Sequence, residues 1–241
     1  MTSIPMVFPE KFLTTIRNCF EERGVEWLER LPQILEETAD RWSLTVLPPF
    51  PNLSFSYVTP VMCTDGTDAV LKVSVVHPEI LTQIDALRIY GGRGSVRLLQ
   101  AEREQGIFLL ERLSPGTTLT TYANDQHDAK ATSITAQVMR GLWCKAEPPH
   151  NFPTVDDWFK AIAEIRQTFD GGTGYLDTKL VEEAEALAPE LLVSSAPYVL
   201  LHGDLHHDNI LEGKEGWLSI DPQGVLGEPC YEVGAMLRNL W

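Results

Sequence analysis

Apolar residues recur along this chain with two different periods, which predict strands in one part and helices in another. Two helices are predicted over 9–40, where large apolar side chains recur at helical spacing and Arg23-Gly24 interrupts the pattern. A third helix is predicted over 78–90, because Pro78 suits a first helical turn and Gly91-Gly92 suits a helix end. Alternating or continuous apolar runs predict strands over 42–47, 55–62, 69–75, 96–100 and 107–111.

Helical spacing dominates the second half of the chain. Thr154 and Asp157 suit the capped start of a helix, and Pro189 is expected to follow the end of the next one. We expect three apolar stripes to face the core: Ala131, Ile134, Val138 and Leu142; Trp158, Ile162, Ile165 and Phe169; and Leu176, Leu180, Ala184 and Leu187. Short strands then flank a polar loop after 201, and a last helix is predicted over 231–241.

This order of elements predicts an α+β chain with two lobes. A mostly β lobe is expected over 1–112, with the helices of 9–40 at its start, and a mostly helical lobe over 113–241. The segment 112–116, Arg-Leu-Ser-Pro-Gly, breaks the strand pattern between them. We interpret it as the hinge, although an ordinary turn between domains would look the same.

Composition narrows the classes of partner. The chain has 34 acidic and 19 basic residues, a formal net charge of −15 that argues against binding a nucleic-acid backbone. The same charge would attract a cationic substrate, although an acidic surface can serve solubility alone. No apolar run approaches the length of a membrane span, and the N-terminus does not resemble a signal peptide. Four scattered cysteines suit a reducing cytosol, so a cytoplasmic location is predicted, with the oligomeric state open.

The polar run after the apolar segment 199–201 carries the candidate chemistry. His202, Asp204 and Asn209 form the pattern His-x-Asp-x-x-x-x-Asn, and Asp221 follows the next apolar run. Phosphoryl transfer needs a carboxylate to accept a hydroxyl proton, and an amide and a second carboxylate to hold Mg²⁺. Asp204, Asn209 and Asp221 supply those groups in that order.

Two other interpretations of this run stay open. Histidine and aspartate often occur in loops as turn and capping residues without any chemical role. Imidazole and carboxylate also suit zinc, so a metal-hydrolase site could use His202, His206, His207 and Asp208. No accompanying cluster of ligands elsewhere in the sequence supports that zinc site.

Lys72 is a candidate of a different kind, because it interrupts the β-branched run Val70-Leu71-Lys72-Val73. Simple exposure on a strand face would explain it. A lysine in a strand after a hairpin, before a helix and upstream of the polar loop, is also the arrangement that binds the α- and β-phosphates in kinases.

These motifs resemble those of the aminoglycoside phosphotransferase family, which has a protein-kinase-like fold. Within it the strongest likeness is to streptomycin 6-kinase-type aminoglycoside/hydroxyurea resistance kinases, over roughly residues 42 to 241. The motifs that carry the resemblance are Val-Leu-Lys-Val at 70–73, Ile-Asp-Ala-Leu-Arg at 84–88, Leu-Leu-Glu-Arg-Leu at 109–113, Leu-His-Gly-Asp-Leu-His at 201–206 and Ile-Asp-Pro-Gln-Gly at 220–224.

The resemblance implies transfer of the γ-phosphate of ATP to a hydroxyl of a small polar molecule, such as the antibiotic streptomycin. ATP and Mg²⁺ are the implied cofactors. The implied roles are as follows: Asp204 as base, Asn209 and Asp221 as Mg²⁺ ligands, Lys72 on the nucleotide phosphates, Ser54 and Ser56 covering those phosphates, the backbone of Glu111, Arg112 and Leu113 on the adenine, His202 as a structural residue, and Glu228 and Glu232 facing a cationic substrate.

The sequence also departs from the family pattern. Gln83 stands where the family has a glutamate that pairs with the lysine, and Glu79 and Asp85 are the nearby carboxylates. The glycine pattern of the kinase phosphate loop is absent, and the family's C-terminal helices are expected to be cut short at Trp241. The alternatives are therefore a kinase for another hydroxyl substrate, such as a sugar, an amino alcohol or a macrolide, or an inactive nucleotide-binding module.

Overall fold

The structure is a computed structural model that describes residues 8–123, 127–193 and 197–238. The described residues fall into two compact units, one within Met1–Gly92 and Val96–Gly116, the other within Arg93–Ser95 and Thr117–Trp241. Within the described ranges, none of the helices combines the length and the apolarity that crossing a bilayer would require.

The first unit begins with helix α1, Glu10–Trp42. Its backbone leaves helical geometry at Glu21, where φ is 51° and ψ is −131°, so it consists of two helical segments. Two helices were predicted over 9–40, and the break lies two residues before the predicted interruption at Arg23-Gly24. The helix continues through Pro32. Its buried side chains, which pack into the core of this unit, include Phe12, Ile16, Leu31 and Leu35.

A five-stranded antiparallel sheet follows in the order β1-β2-β3-β5-β4. Its elements, with the helix that connects the third and fourth strands, are β1 (Leu44–Val46), β2 (Ser56–Cys63), β3 (Asp68–Ser74), α2 (Pro78–Tyr90), β4 (Leu98–Glu102) and β5 (Ile107–Glu111). The predicted bounds of α2 and β5 are confirmed, and β4 begins two residues later than predicted. The buried side chains of Leu71, Val73, Ile107 and Leu109 complete one core with those of α1.

The second unit is mainly helical. Its elements are α3 (Leu119–Tyr122), α4 (Asp128–Leu142), α5 (Val155–Thr168), α6 (Thr178–Val193), β6 (Val199–Leu201), β7 (Ile210–Gly213), β8 (Gly216–Ser219), β9 (Val225–Gly227) and α7 (Val233–Arg238). Strands β6 and β9 form one antiparallel pair, and β7 and β8 form another. The capping box at the start of α5 is confirmed, with the Thr154 hydroxyl accepting the Asp157 N–H at 3.1 Å. The last helix was predicted over 231–241, of which 239–241 lie outside the described residues.

The predicted apolar stripes differ in how deeply they are buried. The stripe on α4 is buried as predicted, whereas the stripe on α5 is only half-buried. The prediction for α6 was wrong, because Leu180 is 66% exposed and Leu187 is 45% exposed. The helix also continues through Pro189 to Val193 instead of ending before the proline.

An ion pair explains which face of α6 turns inward. The Arg166 guanidinium on α5 donates to both carboxylate oxygens of Glu185 at 2.8 and 2.9 Å. Residues four before and three after Glu185 share its helical face, and these are Val181 and Ala188, the buried residues of α6. Apolar spacing alone could not select this face, because leucines occupy the neighbouring one.

The buried and exposed leucines predict different costs of truncation. Leu71→Ala should lower the free energy of unfolding by about 2–5 kcal/mol, because Leu71 is fully buried and its loss leaves a cavity. The matched variant Leu180→Ala should change it by less than about 0.5 kcal/mol, since that side chain is mostly in water. Chemical denaturation of both variants measures the difference. Equal losses would contradict the described orientation of α6.

Candidate active site

The polar loop of the second unit runs between β6 and β7, over residues 202–209. Gly203 adopts a positive φ of 85°, and a Cβ there would come within 3.0 Å of the Trp158 ring and 3.1 Å of Val225. Only glycine combines that backbone conformation with so little space. The sharp turn at Gly203 directs the following residues of the loop, beginning with Asp204, away from β6.

His202 is fully buried and braces the base of the loop. Its Nε2 lies 2.8 Å from the carbonyl oxygen of Ile220, and its Nδ1 accepts the Asp204 N–H at 3.3 Å. Burial lowers the pKa of His202 to about 4, so the ring is neutral at pH 7 and carries its hydrogen on Nε2. The Gln223 N–H also donates to the carbonyl oxygen of His202 at 2.8 Å. His202 therefore holds the loop to the segment after β8.

Glu232 holds the same loop from the other side. Its carboxylate is 1% exposed, and it accepts the N–H of His202 at 2.7 Å and that of Gly203 at 3.0 Å. The interpretation of Glu232 as a group that faces a cationic substrate is corrected here, because both carboxylate oxygens bind the backbone of the loop. The acidic residue could be read from the sequence, but its pairing with residues thirty positions earlier could not.

Asn209 and Asp221 come together through the pairing of β7 with β8. Ile210 lies opposite Ser219 in that pair, and the Ile220 N–H donates to the carbonyl oxygen of Asn209 at 2.9 Å. Asn209, directly before β7, therefore lies beside Ile220, and Asp221 is the residue that follows Ile220. Asp221 has a positive φ of 57°, a conformation that is uncommon for residues other than glycine.

The amide of Asn209 has a defined orientation. Its Nδ2 donates to the backbone carbonyl of Asp204 at 2.9 Å and lies 3.2 Å from His206 Nε2. Because Nδ2 is held by the Asp204 carbonyl, Oδ1 is the atom of this amide that can accept a cation. An amide oxygen and a carboxylate are the hard oxygen ligands that Mg²⁺ takes from proteins, usually one or two at a time beside phosphates. Asn209 and Asp221 thus fit that ion.

Asp204 and Asp208 differ in their surroundings. Asp204 Oδ2 lies 3.6 Å from His206 Nε2, and a quarter of the Asp204 side chain is exposed. Asp208 is exposed and lies in a short 3-10 helix, His207–Asn209. Among the described residues no three His, Cys, Asp or Glu side chains form a metal-binding group, so the zinc interpretation lacks its ligands.

Lys72 lies in the first unit, on β3, and is 6% exposed. Its Nζ is 5.8 Å from the centre of the Phe108 ring on the neighbouring strand, so exposure to solvent does not explain this lysine. Gln83 on α2 is also buried. Of the two nearby carboxylates, Asp85 accepts three hydrogen bonds from Arg103 at 2.8–3.0 Å, and Glu79 is 76% exposed beside His77.

The remaining candidates of the first unit lie around the ends of β2 and β5. Ser56 belongs to β2 and not to a loop, and its hydroxyl accepts a hydrogen bond from Ser74 at 2.6 Å. The prediction that its side chain covers a phosphate is therefore corrected. Ser54 lies in the loop between β1 and β2 and is half-buried. Glu111 ends β5, and its carboxylate accepts the Arg97 N–H at 2.8 Å. After the strand, Arg112 is exposed and Leu113 is half-buried.

A sheet with an internal lysine and a helical unit with this loop define the protein-kinase-like fold, and the predicted fold class is confirmed. The likeness extends to a crystal structure of a thermostable mutant of aminoglycoside phosphotransferase APH(4)-Ia, in ternary complex with ADP and hygromycin B. The match has a TM-score of 0.56 at 16% identity and covers 83% of this chain and 74% of that one, which shows the fold alone.

The chain belongs to the aminoglycoside/hydroxyurea antibiotic resistance kinase family, whose model matches residues 41–240. It is 32% identical over its whole length to a streptomycin 6-kinase of Streptomyces glaucescens, of which it covers 77%. It is also 32% identical to a hydroxyurea phosphotransferase of Kitasatospora aureofaciens, over 90% of this chain and 63% of that one. The predicted family is confirmed, and with it the class of enzyme, a phosphotransferase that acts on hydroxyl groups.

The buried Glu232 predicts a pH-dependent stability. Burial, opposed by the two backbone hydrogen bonds, raises the pKa of Glu232 to about 7. Because the folded state binds this proton more tightly than the unfolded state does, the stabilising contribution of Glu232 is fully present at low pH. The contribution is lost as pH rises through the folded-state pKa of about 7. Relative to Glu232→Gln, the wild-type protein should lose up to about 3 kcal/mol of unfolding free energy between pH 4.5 and pH 8.

Denaturant unfolding at several pH values measures this difference. Glu215→Gln is the matched control, because Glu215 is exposed in the turn between β7 and β8 and should give no such trend. A difference between wild type and Glu232→Gln that stays constant with pH would show that Glu232 titrates like an ordinary glutamate.

Proposed function

We propose that this protein transfers the γ-phosphate of ATP to a hydroxyl group of streptomycin or a related aminocyclitol antibiotic. The observation that carries the proposal is the loop of the second unit, where the Asn209 amide donates to the carbonyl of Asp204 and the Ile220 N–H, directly before Asp221, donates to the carbonyl of Asn209. The streptomycin 6-kinase relative, matched along the whole chain, supports the choice of substrate.

In this proposal Asp204 is the general base. Its carboxylate accepts the proton of the attacking hydroxyl as that oxygen bonds to the γ-phosphorus, while the bond from this phosphorus to the β–γ bridging oxygen breaks and ADP leaves. Asp204 then passes the proton to water. Asp204 is partly exposed, so a hydroxyl can reach it. The peptide group of Asp204 is fixed at both ends, since its N–H donates to His202 and its carbonyl accepts from Asn209.

Asn209 and Asp221 would hold Mg²⁺, which when bound neutralises the charge that collects on the β- and γ-phosphates. Lys72 would bind the α- and β-phosphates, with Gln83 in place of the family's glutamate. Since Asp85 is engaged by Arg103, it is a poor substitute for that glutamate. The loop containing Ser54 would lie over the phosphates, and the backbone of residues 111–113 would bind the adenine. The proposal places the protein in the cytoplasm, where ATP is available.

A cationic substrate suits the charge of the protein. The net charge of −15 would draw guanidinium or amine groups toward the protein, and the attraction should weaken as salt rises. Glu228 remains a candidate for meeting such a group, because its side chain is half-exposed. The hydroxyurea phosphotransferase relative favours a second candidate function, the phosphorylation of a smaller hydroxyl compound.

Replacing the proposed base tests this assignment. Asp204→Asn should slow phosphorylation of streptomycin by about 10²–10⁴-fold, because a positioned general base contributes roughly that factor. ATP affinity and folding should stay close to those of the wild type. The measurement is the rate of product formation at saturating ATP, with nucleotide affinity from calorimetry.

Asp208→Asn is the matched control for this variant. Asp208 is exposed and stands one residue before Asn209, so its loss should cost much less than the loss of Asp204. If Asp208→Asn lost the activity and Asp204→Asn kept it, the base would have to be assigned to Asp208.

A further inference from the structure

A cavity of about 190 Å³, open to solvent at Leu191 and Cys230, lies in the second unit between α5, α6 and the segment after β9. Three aromatic side chains line it, those of Phe159, Tyr198 and Tyr231, and aliphatic side chains of α5 and α6 complete the apolar wall. The remaining lining residues are Glu228 and Cys230. An apolar cavity of 150 Å³ can hold benzene, so this one has room for a compact ring with one substituent.

The lining of this cavity carries one negative charge. Glu228 is the one charged residue of the lining, and among the residues that the structure describes no basic side chain forms an ion pair with it. Asp156 stands behind the wall, where it accepts a hydrogen bond from the Tyr198 hydroxyl at 2.7 Å. This contact raises the pKa of Tyr198 to about 12, so the tyrosine stays neutral at pH 7.

The wall of the cavity is continuous with the support of the catalytic loop. The Tyr231 ring lies 5.9 Å from the Trp158 ring and 6.4 Å from the Phe159 ring, measured between centroids. Trp158 in turn packs against Gly203, where a Cβ would come within 3.0 Å of its ring. A ligand in the cavity would therefore touch a ring whose neighbour contacts the loop that carries Asp204.

We propose that this cavity binds an organic ammonium ion with an apolar body about the size of one ring. Aromatic faces attract cations, and a carboxylate beside them supplies a charge-assisted hydrogen bond to an ammonium group. An anion would be repelled by Glu228, and a neutral ligand of the same shape would gain only the apolar contacts. The ammonium group could belong to the antibiotic that is phosphorylated or to a separate amine, and binding in the cavity does not rest on phosphoryl transfer.

Cys230 provides a reporter inside the cavity. It is a free, exposed thiol and part of the lining, while Cys19 on α1 is a second exposed thiol that serves as an internal control. The experiment measures the rate at which a thiol-specific methanethiosulfonate reagent modifies each cysteine, by peptide mass spectrometry. Benzylamine, which is cationic at pH 7.5, is compared with benzyl alcohol, a neutral molecule of nearly the same shape.

Benzylamine should protect Cys230 at a concentration about tenfold lower than benzyl alcohol, with no effect on Cys19. Glu228→Gln should abolish the difference between the two probes, whereas Glu215→Gln, a change at an exposed turn, should preserve it. Equal protection by the two probes, no protection by either, or an unchanged preference in Glu228→Gln would each overturn the proposal.

A third probe identifies the source of the ammonium group. Protection of Cys230 by streptomycin as well as by benzylamine would assign the cavity to the substrate. Protection by benzylamine alone would assign it to a separate amine. The proposed function is judged separately, by phosphorylation of streptomycin, so the two proposals fail on different measurements.

Discussion

The second unit depends on one buried carboxylate that holds a turn of backbone. Glu232 accepts the consecutive N–H groups of His202 and Gly203, and these precede the residues that carry the candidate chemistry. Burial of a carboxylate is costly, and the two hydrogen bonds that the loop provides offset only part of that cost, because the pKa of Glu232 is still raised to about 7. The turn of the loop and the burial of the acid therefore require each other.

The residues next to this contact form further hydrogen bonds that hold the site in place. The carbonyl of His202 accepts the Gln223 N–H, its ring reaches Ile220, and its Nδ1 accepts the Asp204 N–H. The peptide of His202 is thus held on both sides, and the turn at Gly203 fixes where Asp204 begins. Catalysis of phosphoryl transfer is mostly positioning and charge stabilisation, so a rigid loop is the main contribution this unit can make.

The sequence allowed prediction of features that rest on local chemistry. The bounds of α2 follow from Pro78 and the glycines after Tyr90, and the capping box follows from Thr154 and Asp157. Features set by distant contacts could not be predicted. Ser56 was assigned to the phosphates because its hydrogen bond to Ser74, a residue of the neighbouring strand, forms only in the sheet.

Two further errors had the same cause. The apolar stripe of α6 was predicted to face the core, but it is exposed. The ion pair with Arg166 decides the inward face, and because it joins two helices it could not be predicted from the sequence of α6. Glu232 was assigned to the substrate because nothing in its local sequence indicates that it bonds to the loop. In each case a partner remote in sequence decided where a side chain lies.

Phosphorylation of an aminocyclitol antibiotic by this protein is tested most directly by the product itself. Streptomycin is incubated with the protein, Mg²⁺ and ATP, and both products are quantified by mass spectrometry. We expect streptomycin carrying one added phosphoryl group, formed in equal amount with ADP. Tight binding of ATP without any phosphorylated streptomycin, or release of ADP with the antibiotic unchanged, would contradict it.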